Sequence, residues 1–240
     1  MEELANKLVA WIREQVDSAE RQGVVFGLSG GLDSSVVAVL CKRALPENCL
    51  AAIMPCYSSE TDIEHARAVA LKFQIPIRTI TLDGVFDSLL RALSDGEYEP
   101  GTKRIAEANL KPRLRMLTLY YLANRLEYLV VGTGNRSEIS MGYFTKYGDG
   151  GVDILPLGNL VKSRVRELAV HLGIPDEIIQ KPPSAGLWAG QTDEGEMGIT
   201  YEELDRYLIA GKAREEIKKK VDATMAGSAH KRATPQIPPF

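Results

Sequence analysis

Cysteine is scarce in this chain: three residues in 240, Cys41, Cys49 and Cys56, with no C-x-x-C pair among them. That spacing suggests neither a zinc site nor a disulfide framework. It fits reduced, mostly buried thiols in a cytoplasmic protein. No run of 18 apolar residues occurs, so no membrane-spanning helix is expected. The N-terminus, where Glu2 and Glu3 lead into an amphipathic pattern, does not read as a signal peptide. Excess charge is also missing: a formal net charge of −3 gives no global field that would favour nucleic acid. Repeats and low-complexity segments are absent. What remains is 45% hydrophobic and 25% charged, enough to bury a substantial core, at a length that suits one large α/β domain over residues 1–240.

Periodicity supplies the elements. Leu4, Leu8, Trp11, Ile12 and Val16 predict a helix over 3–19. A buried strand is expected over 24–28, then a helix from Ser34 to Ala44. A strand at 50–54 ends at Pro55, and a helix follows from Thr61 to Phe73, with Thr61 as N-cap and Glu64 at capping-box spacing. Next come a strand over Ile75–Leu82, a helix over Val85–Leu93 and a polar loop over Ser94–Thr102. Pro112 suits the first turn of a long helix from Asn109 to about Arg125. Arg113, Met116 and Tyr120 share one face of it, and Arg115 points elsewhere. The fourth strand is Tyr128–Gly132. Alternating strands and helices predict a parallel sheet covered on both faces, with ligands at the carboxyl ends of its strands.

After residue 138 the pattern changes. Residues 139–159 are rich in Gly, Asp and Tyr without a clear period, and long irregular stretches in a compact domain are usually functional or disordered. Tyr143, Phe144 and Tyr147 argue against disorder. Helical spacing returns over Leu160–Leu172, Thr200–Leu208 and Ala213–Met225, with an irregular segment over 180–199 and a tail that runs through His230-Lys231-Arg232 into prolines.

One stretch carries chemistry by itself. Ser29-Gly30-Gly31-Leu32-Asp33-Ser34 joins the first strand to the following helix. Glycines let backbone approach a ligand closely, and the first helical turn offers unpaired N–H groups, so such a turn is an anion site. The Ser29 and Ser34 hydroxyls would add donors. Asp33 would repel phosphate unless a divalent cation lay between them, as Mg²⁺ does when held by a carboxylate and phosphate oxygens. No Lys follows the glycines, so this is not the Walker pattern.

The hexapeptide resembles the pyrophosphate loop, S-G-G-x-D-S, of the ATP pyrophosphatases. Together with Asn109–Met116, Gly132–Glu138, Phe144–Pro156, Lys162, Lys181–Trp188 and His230-Lys231-Arg232, the chain resembles one branch of them, the ammonia-dependent NAD⁺ synthetases. The resemblance implies a Rossmann-like sheet of the adenine nucleotide alpha hydrolase type, a homodimer, and a C-terminal helical segment and tail that close the site. It implies ATP-dependent amidation of deamido-NAD⁺ by ammonia, through an adenylate, with release of pyrophosphate and AMP. Only about 23 residues precede the first strand, so free ammonia, not glutamine, is the expected nitrogen source. ATP would meet Gly27, Leu28, Ser29, Gly30, Gly31, Leu32, Asp33, Ser34, Thr133, Lys162 and Ser184. Asp33 and Glu138 would hold Mg²⁺. Arg113, Lys146, Asp153, His230 and Lys231 would take deamido-NAD⁺. Pro112 stands where many relatives have Ala, which should alter the helix start more than the chemistry.

Lys162 is placed by the same resemblance on ATP phosphates, and a phosphate would offset the usual penalty for a cation at a helix N-terminus. Ammonia arrives mostly as ammonium and must lose a proton. Asp149, in the turn Gly148-Asp149-Gly150-Gly151, is the carboxylate expected to orient or deprotonate it, although an ordinary turn aspartate reads nearly as well. Other users of the same loop are tRNA sulfurtransferases and enzymes of GMP-synthetase type. The cysteine spacing and net charge argue against the first, and the Lys181–Trp188 and His230 stretches fit the second poorly. A nucleotide-binding module without catalysis would need no second substrate site. Neither nucleic acid nor membrane is expected as a partner.

Overall fold

The computed structural model describes residues 1–94, 105–188 and 190–240, so all but the first residue or so of the loop expected over Ser94–Thr102 lies outside the described residues. In chain order the elements are α1 (Glu2–Ser18), β1 (Gly23–Gly27), α2 (Leu32–Ala44), β2 (Cys49–Ile53), α3 (Glu60–Lys72), β3 (Ile77–Thr79), α4 (Asp83–Leu93), α5 (Ile105–Ala108), α6 (Leu110–Leu126) and β4 (Tyr128–Val131). Then follow α7 (Arg136–Met141), α8 (Lys162–Leu172), α9 (Asp176–Ile179), α10 (Asp193–Met197), α11 (Tyr201–Ala210), α12 (Glu215–Gly227) and a short 3₁₀ turn, Ala229–Lys231.

The four strands pair in parallel in the order β3-β2-β1-β4. Successive side chains of a strand point to opposite faces, and β1 shows the consequence. Val24 and Phe26 enter a core built with α1, α2, α3 and α8, whereas Val25 enters a second core with α4 and α6. Both faces are therefore covered by helices. A third cluster joins Met141 of α7 to Met197, Leu204 and Val221 of the C-terminal helices and to Ile199 between α10 and α11. The chain runs from β1 to β2 to β3 on one side, then returns across the sheet to place β4 on the other side of β1. The strand order thus reverses between β1 and β4, and the crevice at their carboxyl ends is where open α/β sheets bind ligands.

Three expectations about local structure are corrected. The strand expected over Ile75–Leu82 shrinks to Ile77–Thr79, all exposed. As an edge strand it pairs on one side only, and its continuation is held by single bonds, Ile80 N–H to the Ile53 carbonyl (2.9 Å) and Leu82 N–H to the Pro55 carbonyl (2.8 Å). The cap of α3 is Ser59, whose hydroxyl accepts the Asp62 N–H, and not Thr61. Helix α2 starts at Leu32, two residues before Ser34, which brings Asp33 into its first turn. The irregular stretch after α7 also adds to the sheet: Ile154 forms a parallel bridge with Val131, outside β4.

Candidate active site

The Gly-rich loop leaves β1 at the reversal point. Gly30 has φ +78°, and a Cβ there would collide with the Asp62 carbonyl of α3. Only glycine meets both demands without strain. Ser34 is buried and Ser29 is exposed, and both hydroxyls bond within the loop. Ser34 Oγ donates to the Gly31 carbonyl (3.0 Å) and lies 2.9 Å from Ser29 Oγ, which accepts the Gly31 N–H (3.3 Å). Ser35 Oγ also donates to the Gly31 carbonyl, at 2.7 Å. These bonds hold the loop's shape. Helix α2 itself has Gly31 as N-cap and no side-chain cap, which leaves its first N–H groups without a side-chain partner, the condition under which a helix start can accept an anion.

At the end of β4, Thr133 leads into a capping box. Asn135 Oδ1 accepts the Glu138 N–H (3.0 Å) and Glu138 Oε2 accepts the Asn135 N–H (3.2 Å). Asn135 is fully buried, and its Nδ2 donates to Asp33 Oδ1 at 2.9 Å. It ties the two strand-end segments across the crevice. Lys162, at the start of α8, completes the group: its Nζ is paired with Asp33 Oδ2 and lies 3.2 Å from Glu138 Oε1. Burial works against the Lys162 ammonium, but the two carboxylates outweigh it and hold its pKa above the usual lysine value. Burial is also the main influence on Glu138. With Asp33 nearby it outweighs the opposing pull of Lys162 and lifts the carboxyl to about 7.

The start of α8 carries a protein carboxylate of its own. The N-cap, Val161, has no capping side chain. Asp205 of α11 supplies the negative charge instead, accepting the Ser163 N–H (2.7 Å) and the Ser137 hydroxyl (2.6 Å), while Ser137 Oγ accepts the Lys162 N–H (3.1 Å). Those N–H groups are thus taken by protein, and it is the Lys162 side chain that reaches the site. Tyr201, also on α11, lies against both functional groups. Its hydroxyl is 3.3 Å from Glu138 Oε1 and 2.9 Å from Asp193 Oδ2, and its ring centroid is 5.1 Å from Lys162 Nζ. Burial and then Lys162 set the Asp193 carboxyl in opposite directions; burial prevails and raises it.

Sequence reading missed Asn135, Ser137, Asp193, Tyr201 and Asp205. The N-x-x-E spacing of Asn135 and Glu138 was an available signal. Nothing comparable marked Tyr201 and Asp205, which sit among the apolar residues of an amphipathic helix.

The residues expected to take the second substrate form a separate chain of contacts. Arg113 on α6 donates to the Lys146 carbonyl (3.4 Å), and Lys146 Nζ donates to the His230 carbonyl (2.8 Å). Lys231 Nζ donates to the carbonyls of Gly142 (2.7 Å) and Phe144 (2.8 Å). The tail therefore folds back onto the irregular 142–147 stretch. Asp153 is turned to β4 and α6, accepting the Val130 N–H (2.7 Å) and the Tyr120 hydroxyl (2.9 Å). Asp149 is exposed and is held within its own turn, where Oδ1 accepts the Thr145 N–H (2.8 Å). Ser184 is exposed and closes a local turn by accepting the Gly186 N–H (3.1 Å). Its segment is pinned nearby: Lys181 pairs with Asp62, and the buried Lys111 donates to the Leu187 carbonyl (2.8 Å).

Residues 4–235 match the NAD synthase family. A relative from Carboxydothermus hydrogenoformans, named NH(3)-dependent NAD(+) synthetase, is 50% identical over 238 residues, covering 99% of this chain and 97% of its own. One of the same name from Syntrophomonas wolfei is 48% identical over 237 residues, covering 98% and 95%. Among solved structures, an NMN synthetase from Francisella tularensis superposes with a TM-score of 0.93 at 38% identity, covering 100% of this chain and 98% of that one. An NH3-dependent NAD synthetase from Campylobacter jejuni, in complex with nitrate, gives 0.79 at 31% identity, covering 98% and 97%. With the Gly-rich loop, its bare helix end and the Asp33–Lys162–Glu138 group on one crevice, these likenesses establish that the chain belongs to the NAD synthase family and is an ATP-binding ligase of NAD biosynthesis.

Proposed function

We propose that the chain condenses deamido-NAD⁺ with free ammonia at the expense of ATP, through an adenylated intermediate, releasing pyrophosphate and AMP. The observation that carries this reading is the convergence of Asp33, Glu138 and Lys162 beside the uncapped end of α2, in a chain matched along its length by relatives named for that activity. A carboxylate does not condense with ammonia in water unless activated. The substrate carboxylate attacks the α-phosphorus of ATP and pyrophosphate leaves. Ammonia then attacks the acyl carbon, AMP leaves, and one proton is given up. The protein's part is positioning and electrostatic stabilisation. The Gly27–Ser34 loop and the first turn of α2 receive the leaving pyrophosphate, and Lys162 offers its charge to the same phosphates.

The donor set also fits Mg²⁺. Asp33 and Glu138 converge on one cation, Lys162 Nζ. No group of three His, Cys, Asp or Glu suited to a metal occurs among the described residues, so phosphate oxygens would have to complete the shell. Two carboxylates plus phosphate is an ordinary Mg²⁺ set. Bound there, the ion would spread the charge of the leaving group. Arg113, Lys146, Asp153, His230 and Lys231 are assigned to deamido-NAD⁺, Thr133 and Ser184 to ATP, and Asp149 to ammonium. A cytoplasmic homodimer is part of the same reading.

A second reading has a specific observation in its favour. The likeness to an NMN synthetase (0.93) exceeds that to the Campylobacter jejuni NAD synthetase (0.79). On that reading the acid amidated is nicotinate mononucleotide. Pyrophosphate release measured with deamido-NAD⁺ and with the mononucleotide in parallel decides between them by the ratio of kcat/KM.

A further inference from the structure

We infer that Asp205 is a positioning residue for the phosphate chemistry: it sets Lys162 and Glu138 in place without touching substrate. The inference rests on the ATP-using reading above. Helix α11 lies along the first turn of α7 in reverse order. Tyr201 meets Glu138 (3.3 Å), Asp205 meets Ser137 (2.6 Å), and the Leu208 carbonyl meets Arg136 Nη2 (2.9 Å). Spacings of four and three residues put Tyr201, Asp205 and Leu208 on one helix face.

Asp205 does more than cap a helix. A cap for α8 would ordinarily come from the N-cap residue, and one oxygen suffices. Here the N-cap is Val161, and the cap arrives from a helix 42 residues further on. Both Asp205 oxygens are used: one fixes Ser163, next to Lys162, and the other fixes Ser137, next to Glu138. Ser137 Oγ in turn accepts the Lys162 N–H. One carboxylate, 4% exposed, therefore joins the backbones that carry the ammonium and the carboxylate of the site. A buried carboxylate is tolerated when its hydrogen bonds are complete, so loss of either bond leaves a donor or acceptor stranded and lets α7 and α8 shift relative to each other. The same helix carries Tyr201, which bonds Asp193 of α10. Asp205 thus links the C-terminal helices to the catalytic pair.

The test is a double-mutant cycle. Asp205→Asn, alone and in a Lys162→Met background, is assayed for pyrophosphate release and for binding of ATP with Mn²⁺ by calorimetry and Mn²⁺ EPR. Loss of an outer partner of this kind typically costs 10–100-fold. Asp205→Asn alone should lower kcat/KM for ATP by about that factor and alter the bound-Mn²⁺ spectrum, while KM for the acid substrate moves less than about 3-fold. In the Lys162→Met background the further loss should be clearly smaller than in the wild-type background, because one of the two groups that Asp205 positions is gone. An equal loss in both backgrounds, or a loss that matches the unfolded fraction by circular dichroism, would overturn the assignment. Ser137→Ala, which cuts the link to the Lys162 N–H and leaves the Ser163 bond, serves if Asp205→Asn does not fold. It should weaken ATP–Mn²⁺ binding in the same direction, and unchanged binding would overturn the proposal. Absence of pyrophosphate release by the wild type with every acid tried would sink the functional reading, whereas the binding cycle would still decide on Asp205.

Discussion

Lys162→Met removes the cation that two carboxylates share. Its side chain is 5% exposed, and those of Asp33 and Glu138 are 15% and 17% exposed. Removing one member of a buried ion group strands the other charges and costs about 3–5 kcal/mol. In a chain of this length each kcal/mol shifts Tm by roughly 2–4 °C, so a fall on the order of 10 °C is expected at pH 8. At pH 6 the fall should be smaller, because Glu138, raised to about 7 by burial, can then take a proton and shed its charge. Millimolar Mg²⁺ without nucleotide should restore part of the loss, since a divalent ion can stand between the carboxylates in place of the ammonium. At one hundred times its Kd it would return about 2.7 kcal/mol. Wild type should gain little from Mg²⁺ alone, because Lys162 already fills that position. The assay is Tm by circular dichroism with and without Mg²⁺ at both pH values. A variant within 2 °C of wild type at pH 8, or equal Mg²⁺ effects on both proteins, would refute the idea that Lys162 holds the metal position.

Gly30→Ala imposes a positive φ on a side chain, about 1–2 kcal/mol, and drives its Cβ into the α3 backbone. ATP binding by calorimetry should fall at least tenfold, and wild-type affinity would show the close approach to be unimportant. Glu138→Gln tests the raised carboxyl. The folded protein keeps a proton on Glu138 that the unfolded chain releases from near 4.5, so this stabilising contribution is whole below about 4.5 and lost as pH rises through about 7. Relative to the variant, wild-type Tm should therefore decline between pH 5 and pH 8, and parallel curves would contradict the assignment. Burial lifts the thiols of Cys41, Cys49 and Cys56 above their usual pKa. Iodoacetamide at pH 8 should label none of them in the native protein within an hour and all three in denaturant, and rapid native labelling would mean that the cores open.

The parts that were legible in the sequence are those encoded over short distances. The loop from Ser29 to Ser34 carries its turn, its bare helix end and its carboxylate within six residues. Alternating apolar runs announced the parallel sheet. The shortfalls are equally physical. Ile75–Leu82 has the apolarity of a strand, but an edge has one partner, so pairing stops after three residues. The meeting of Asp33 with Asn135 and Lys162 spans 102 and 129 residues, and no local pattern reports it. Asp33, Glu138 and Lys162 could be grouped only through a family resemblance, and Asn135 was passed over. Tyr201 and Asp205 were hidden because helical spacing shows which residues face inward and not what they meet there. The bonds that Ser29 and Ser34 make within the loop were likewise not legible, because residue type names a donor and not its partner.

The measurement that tests the central claim most directly is pyrophosphate release with ATP, Mg²⁺, deamido-NAD⁺ and ammonium, each omitted in turn. The account predicts that pyrophosphate and NAD⁺ form in equal amounts only when all four are present, and that Asp33→Ala abolishes both. Pyrophosphate release that ignores deamido-NAD⁺, or NAD⁺ formation that survives Asp33→Ala, would contradict it.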